Sequence, residues 1–230
     1  MLQWPMIEFV TSRWLGDFLF GFSALFAIIN PYGLAFIFHE RTAGLSERER
    51  ARVAFRIALY AFAVLLVSLF VGSHILRFFG ISMPALRIAG GLVVAVAGWS
   101  MLHAAPIPQG GHATSSTNFV TIQRMAFFPL TIPLTTGPGT IATAIAIGTN
   151  RPEDLDGLFY SSIVWMVVAL GVTVTIYHAY TRSSAMARLF GEEGTSVVTR
   201  LSAFLLLCIG VQIVITGVVE VARSLTGGSA

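Results

Sequence analysis

Pro129-Leu130-Thr131-Ile132-Pro133-Leu134-Thr135-Thr136-Gly137-Pro138-Gly139-Thr140 lies inside a long apolar region, yet three prolines, two glycines and four threonines interrupt it. Proline has no N–H and clashes with the carbonyl four residues back. In a helix, Pro138 would free the carbonyl of Leu134 and Pro133 that of Pro129. In hydrocarbon, freed backbone groups are tolerated only where protein or a water-lined cavity satisfies them. The stretch therefore predicts a helix broken at membrane depth. Ala27-Ile28-Ile29-Asn30-Pro31-Tyr32-Gly33 repeats the device in the first half, again Pro then Gly in an apolar run. Two interrupted segments in matching halves point to a solute-binding site of the kind transporters use.

Composition agrees with a membrane setting. The 230 residues are 55% hydrophobic and 11% charged, with mean hydropathy +0.79, whereas a soluble domain carries roughly 25% charged residues. All 14 basic residues are arginine. A net charge of +3 without a basic stripe interleaved with aromatics points to anionic headgroups and away from nucleic acid. Cys208 is the single cysteine, which excludes an intramolecular disulfide. Residues 1–14 carry Glu8 and Arg13 and lack the pattern of a cleaved signal, so the first apolar segment is expected to remain as a span.

The remaining segments fall around the two breaks. A span needs about 20 apolar residues. The first is expected over Leu15–Phe38, holding the Asn30-Pro31-Tyr32-Gly33 break. Ser46-Glu47-Arg48-Glu49 has the spacing of a capping box and opens a second helix expected to run to about Leu76. Ser82 and Pro84 open a third, Met83 to about Leu102, with small residues along it for close packing. The Pro-, Gly- and Ser-rich stretch 104–118 reads as a linker. The fourth span, about Phe119–Gly148, is split at Gly137-Pro138-Gly139; the fifth covers about Leu155–Tyr180 and the sixth about Ser196–Ala222.

The order repeats: break, long helix, Arg-x-Phe-Gly turn, Arg-led helix. Arg77-Phe78-Phe79-Gly80 matches Arg188-Leu189-Phe190-Gly191, and Arg87 matches Arg200. Three spans per unit force the copies into opposite orientations, an inverted repeat. The expected architecture is a single all-α membrane domain over 1–230: six transmembrane helices as two inverted three-helix repeats, about 15–103 and 119–222, broken at Asn-Pro-x-Gly and Gly-Pro-Gly. Arg41, Arg48, Arg50, Arg52 and Arg56 crowd the first inter-span loop, which puts that loop in the cytoplasm and both termini outside.

These motifs resemble the MarC family, named for multiple antibiotic resistance and also described as the small neutral amino-acid transporter family. The resemblance rests on Ile29-Asn30-Pro31-Tyr32-Gly33 and on Pro133-Leu134-Thr135-Thr136-Gly137-Pro138-Gly139-Thr140. Arg87-Ile88-Ala89-Gly90-Gly91 and Gly210-Val211-Gln212 extend it over nearly the whole chain. It implies a six-span bacterial inner-membrane protein, with amino-acid transport attributed to some members.

A half-helix N-terminus offers unpaired N–H groups and positive dipole to a carboxylate, while freed carbonyls suit an ammonium or a sodium ion. The candidate substrate residues are Asn30, Pro31, Tyr32, Gly33, Thr135, Thr136, Gly137, Pro138, Gly139, Thr140 and Gln212. Arg87 and Arg200, near helix starts, read as structural, either reaching to headgroups or pairing with helix-end carbonyls. Asp17, His74, His103 and His178 lie towards span ends, where solvated or interfacial roles outweigh proton relay. No His or Cys cluster has metal-ligand spacing, no ATP-binding motif occurs, and no nucleophile–base pair or phosphate loop suggests an enzyme. The function expected is secondary transport of a small solute, a neutral amino acid, by alternating access, without cofactor but with sodium or protons as candidate coupling ions. The alternative is a structural or regulatory membrane protein, or an exporter of drugs or metabolites. Lipids and the solute are the expected partners; homo-oligomerisation is left open.

Overall fold

The structure, a computed structural model, describes residues 3–103, 126–149 and 155–226. The expected linker 104–118 and the first residues of the expected fourth span, 119–125, lie outside the described residues. The described chain is helical throughout, without a strand: α1 (Gln3–Ile29), α2 (Pro31–Arg41), α3 (Glu47–Phe70), α4 (Gly72–Phe78), α5 (Met83–Leu102), a π-helical segment (Ala126–Thr135), α6 (Pro138–Thr149), α7 (Leu155–Thr181) and α8 (Ser183–Thr226).

Five stretches are long and apolar enough to cross a membrane: Trp14–Arg41, Glu47–Phe70, Met83–Leu102, Asp156–Thr181 and Glu193–Thr226. Of the fourth expected span, the described residues form two short pieces, the π segment and the 12-residue α6, divided at Thr136-Gly137. Neither piece alone approaches the length of about 20 residues that a span requires.

Local chemistry sets most helix starts. Ser46 and Glu49 form a reciprocal capping box: Glu49 N–H donates to Ser46 Oγ (3.4 Å) and Ser46 N–H to Glu49 Oε2 (3.0 Å). Ser82 Oγ accepts from Ala85 N–H (3.3 Å), with Pro84 in the first turn of α5. One helix end departs clearly from the sequence expectation. The second helix stops at Phe70 rather than continuing to Leu76, and Val71 (φ −116°, ψ −20°) separates α3 from α4. This junction is where α6 approaches closest: a Cβ on Gly148 would lie 2.1 Å from the Leu69 carbonyl oxygen, and one on Gly72 would strike Ile145. The last helical stretch, from Ser183, turns at the non-helical Gly191 (φ 68°, ψ −178°), and beyond it the apolar span Glu193–Thr226 takes in the sixth expected span. Gly80, before α5, has φ 66°. An L-side chain is strained at both positions, so the glycine in each Arg-x-Phe-Gly turn is required by conformation.

The buried core joins α1, α2, α3, the π segment and α7, with Leu25, Phe38, Ile57, Leu65, Val168 and Tyr180 essentially inaccessible. Against it stands a second layer, α5 and α8. Their contact is backbone on backbone: Cβ atoms on Gly91, Gly98 and Gly210 would lie 2.7 Å from the Gly210 oxygen, 2.5 Å from the Leu207 nitrogen and 2.3 Å from the Ala95 nitrogen. As α5 ascends from Gly91 to Gly98, its partner descends from Gly210 to Leu207, so the two run antiparallel. Leu92, Val96, Trp99, Leu201, Val211 and Ile215 leave the outer faces of this pair apolar and exposed, a surface suited to lipid. Gly210→Ala should force the helices apart and lower the stability of the purified chain by about 2 kcal/mol. Thermal unfolding in detergent, compared with the parent, measures it.

One end of the bundle is tied by Arg50, which is buried. Its guanidinium donates to Thr42 Oγ1 (3.1 Å), the Thr42 carbonyl (3.0 Å), the Leu45 carbonyl (3.4 Å) and Ser184 Oγ. The loop after α2 is thereby fixed to the start of α8. Arg188 pairs with Glu47 at 3.5 Å, and Thr199 Oγ1 donates to Glu40 at 3.1 Å. The first charged loop and the α7–α8 junction thus share one arginine-rich end.

Candidate functional site

The first break is a left-handed residue followed by a proline-led helix. Asn30 sits at φ 46°, ψ 59°, a conformation Asn tolerates better than most residues. Its Nα–H still closes on Phe26 O (2.9 Å), which ends α1, and its Oδ1 accepts from Gly33 N–H (3.3 Å), which starts α2. Pro31 is the first helical residue, where its missing N–H costs nothing. The Asn30 carboxamide oxygen is therefore engaged as a helix cap. Gly33 lets this N-terminus lie on α8, since a Cβ there would be 2.8 Å from Ser202 Oγ.

The second break is built differently. The π turn widens the backbone ring to five residues, and threonine hydroxyls close on the carbonyls it strains. Thr131 Oγ1 donates to Ala126 O (2.6 Å), Thr135 Oγ1 to Leu130 O (2.7 Å) and Thr136 Oγ1 to Thr131 O (3.3 Å), beside a backbone bond from Thr136 N–H to Thr131 O (2.8 Å). Thr135 Oγ1 also meets Tyr180 Oη at 2.7 Å, and the Tyr180 ring stacks on Phe38 with centroids 4.6 Å apart. Tyr180 thus joins the π segment, α7 and α2. Tyr180→Phe should cost about 1 kcal/mol of stability through the lost bond, read by thermal unfolding.

After Thr136 and Gly137 the chain re-enters a helix at Pro138. Pro138 is therefore the first residue of α6 and not an interior kink, with Ile141 N–H donating to Gly137 O (3.0 Å). The earliest N–H groups of α6 have no acceptor within the helix. Gly137 is held by backbone: a Cβ would lie 2.5 Å from the Pro133 carbonyl oxygen. Gly139 is held by side-chain ends, Ile213 Cδ1 at 2.8 Å and Val94 Cγ2 at 3.2 Å.

Two adjoining cavities meet at this break. The inner one, about 20 Å³, touches Thr135, Gly137, Gly139 and Thr140, with Ile28 from the end of α1 and Ile209 and Ile213 from α8. That volume suits one water or one small polar group. The outer one, about 140 Å³, runs from Pro138 past Leu130 and Ala97 to Met101 and Arg41. A cavity of about 150 Å³ admits benzene. Val94, Pro133, Leu134 and Leu206 line both and form the wall between them. Because Arg41 ends α2 beside the charged loop, the outer cavity extends towards the arginine-rich end.

Of the residues expected at the site, Thr135, Gly137, Pro138, Gly139 and Thr140 line these cavities, and Thr136 is buried directly behind them. Asn30, Pro31, Tyr32 and Gly33 line neither; Tyr32 is exposed and packs on Phe26, 6.3 Å between centroids. Gln212 is exposed on α8. Arg87 pairs with Glu220 across the α5–α8 contact, and Arg200 is exposed. The sequence reading missed Arg41, Tyr180 and the α5 and α8 wall residues. Apolar residues on a later helix carry no local signal of facing a distant break.

Comparison with known proteins bears on the whole assembly. A family profile described as MarC family integral membrane protein matches residues 15–222. The chain is 33% identical over 209 residues to an inner membrane protein MarC of Citrobacter koseri, covering 89% of this chain and 95% of that protein. It is likewise 33% identical over 211 residues to that of Salmonella typhimurium and 32% over 209 residues to that of Escherichia coli, with the same coverage. No solved structure matches the chain.

Proposed function

Starting from the premise that this chain belongs to the MarC family of integral membrane proteins, we propose that it is a secondary transporter of a small solute, a neutral amino acid, working by alternating access. Its setting as a multi-pass inner-membrane protein follows from its relatives and its five long apolar helices. The observation that carries the transport reading is the pair of contiguous cavities at the second break, polar at the inner end and apolar towards Arg41.

Three features support two inverted repeats around this site. Both second half-helices, α2 and α6, open on a proline. Gly80 and Gly191 adopt matching positive φ before the long helix that closes each half. Those closing helices, α5 and the span of α8, pack antiparallel, as an inversion between halves requires. Arg41, Arg48, Arg52 and Arg182 gather at one end, which favours that end as cytoplasmic and both termini as external. The state described here is then the inward-open one, with the inner pocket reached from the cytoplasm and α6 closing the outer side against Leu69.

In this mechanism the α6 N-terminus receives the solute's carboxylate through its free N–H groups and dipole, and Thr135 and Thr140 contribute hydroxyl oxygens. Release or capture on the outer side requires α6 to part from α3 and α4. Coupling falls to sodium rather than protons, since the break offers oxygen atoms and no carboxylate among the described residues lines either cavity. Uptake of radiolabelled alanine, glycine, serine and threonine into proteoliposomes, under a sodium or a proton gradient, tests the reading. Accumulation of at least one, dependent on sodium, is the expected result. Absence of uptake for every member under both gradients would favour a structural or regulatory role.

A further inference from the structure

Among the described residues, Arg41 is the one charged side chain that lines the outer cavity. Val93, Val94, Leu130, Leu134 and Leu206 are typical of the rest, and Arg41 stands at the mouth, exposed. A charge entering such a cavity without a partner is strongly disfavoured. Charged groups of a solute are therefore held at the ends of the cavity, at Arg41 or at the α6 N-terminus, and only an uncharged part rests against these side chains.

Arg41 has no hydrogen-bond or ion-pair partner among the described residues. The acids nearest to it in the chain are engaged elsewhere: Glu40 accepts from Thr199 (3.1 Å), Glu47 pairs with Arg188 (3.5 Å) and Glu49 caps α3 through Ser46. No carboxylate pairs with Arg41 among the described residues. Arg50, nine residues on, spends its donors on carbonyls and hydroxyls of the loop. The two arginines thus divide the work: Arg50 is buried and donates four hydrogen bonds, whereas Arg41 lines the cavity, exposed and with no partner among the described residues. A guanidinium binds a carboxylate through two parallel hydrogen bonds, a geometry no other described side chain lining this cavity offers.

We propose that Arg41 captures the carboxylate of the solute at the mouth of the outer cavity, so that the site selects small carboxylates with an uncharged apolar body and rejects the corresponding amides. This deepens the transport reading and rests on it for the step that follows capture, in which the solute passes the Val94–Leu134–Leu206 wall to the α6 N-terminus. The cavity's volume of about 140 Å³ limits the apolar body to a few carbon atoms.

The test uses the purified full chain in phosphatidylcholine nanodiscs, with isobutyrate, isobutyramide and L-alanine as probes in equilibrium binding. Isobutyrate and alanine should bind, and isobutyramide at least about tenfold more weakly. Arg41→Gln should weaken isobutyrate at least about tenfold, and Arg41→Lys should retain part of the affinity. Equal binding of acid and amide, no binding of either acid up to millimolar concentration, or parent-like affinity in Arg41→Gln would each overturn the proposal. So would loss of isobutyrate binding in phosphatidylglycerol nanodiscs alone, because the occupant of Arg41 would then be a lipid headgroup. Arg41-dependent binding of isobutyrate without alanine uptake in proteoliposomes would reject the transport reading and keep this site. Uptake unchanged by Arg41→Gln would reject this site and keep transport.

Discussion

Gly139→Val is expected to abolish solute uptake while leaving the protein folded. Gly139 lies in the first turn of α6 on the wall of the inner pocket. A new Cβ there meets Ile213 Cδ1 at 2.8 Å and Val94 Cγ2 at 3.2 Å, both ends of side chains that can rotate aside. The added methyls would then occupy a pocket of about 20 Å³, which has room for little else. Losing one or two hydrogen bonds to a charged group costs about 1.5–3 kcal/mol each, so affinity should fall roughly a hundredfold. Gly137→Ala is the instructive contrast, because its Cβ meets the Pro133 carbonyl at 2.5 Å and must move backbone. Pro138→Ala should be milder than either. In a helix interior this change would restore a hydrogen bond, but at the first helical position it restores none. Size-exclusion profiles and binding of radiolabelled alanine separate these cases; a Gly139→Val chain that binds like the parent would remove the inner pocket from the mechanism.

The second large effect concerns stability. Arg50→Ala should destabilise the chain by about 3 kcal/mol or more, because the Thr42 and Leu45 carbonyls and the Ser184 hydroxyl lose their donor in a buried setting. Arg50→Lys should rescue little. One ammonium cannot reach the points that a planar guanidinium spans between the α2–α3 loop and α8. Thermal unfolding of the two variants in one detergent decides this; near-parental stability for Arg50→Ala would mean that the loop does not depend on the tie.

Much of the helical framework was readable in the residues because the signals are local. Ser82 with Pro84 marks α5, and its bounds at Met83 and Leu102 agree with the structure. Ser46 and Glu49 mark α3. Asn30-Pro31 and Gly137-Pro138 stand at the starts of α2 and α6, since proline is favoured at the first helical position. Where tertiary contact decides, the chain gave no warning. Val71 ends α3 where α6 presses on Leu69. The π turn depends on three threonines bonding five residues back, whereas threonines in an apolar run read equally as ordinary helix.

Which of the motif residues face the cavities was set by tertiary packing. Glycines and threonines of the second break line the cavities, while the first break contributes Ile28 rather than Asn30, whose oxygen is committed to capping α2. The charge run 41–56 reads as one basic loop. In space it separates into Arg50, buried and saturated, and Arg41, facing the outer cavity. Arg87 met Glu220, a partner 133 positions away that no local pattern announces.

The central claim is that the second break is a solute site reached from one side at a time. Leu134, in the wall between the cavities, is the position to interrogate. In a background with the exposed Cys208 replaced by alanine, Leu134→Cys is labelled with a membrane-impermeant maleimide in inside-out and right-side-out vesicles. Without solute, labelling should occur from the side of the arginine-rich end alone. A saturating transported amino acid should slow it there, and an outward-directed gradient should open the position to the opposite side. Labelling confined to one side and indifferent to every amino acid tested would contradict alternating access at this break.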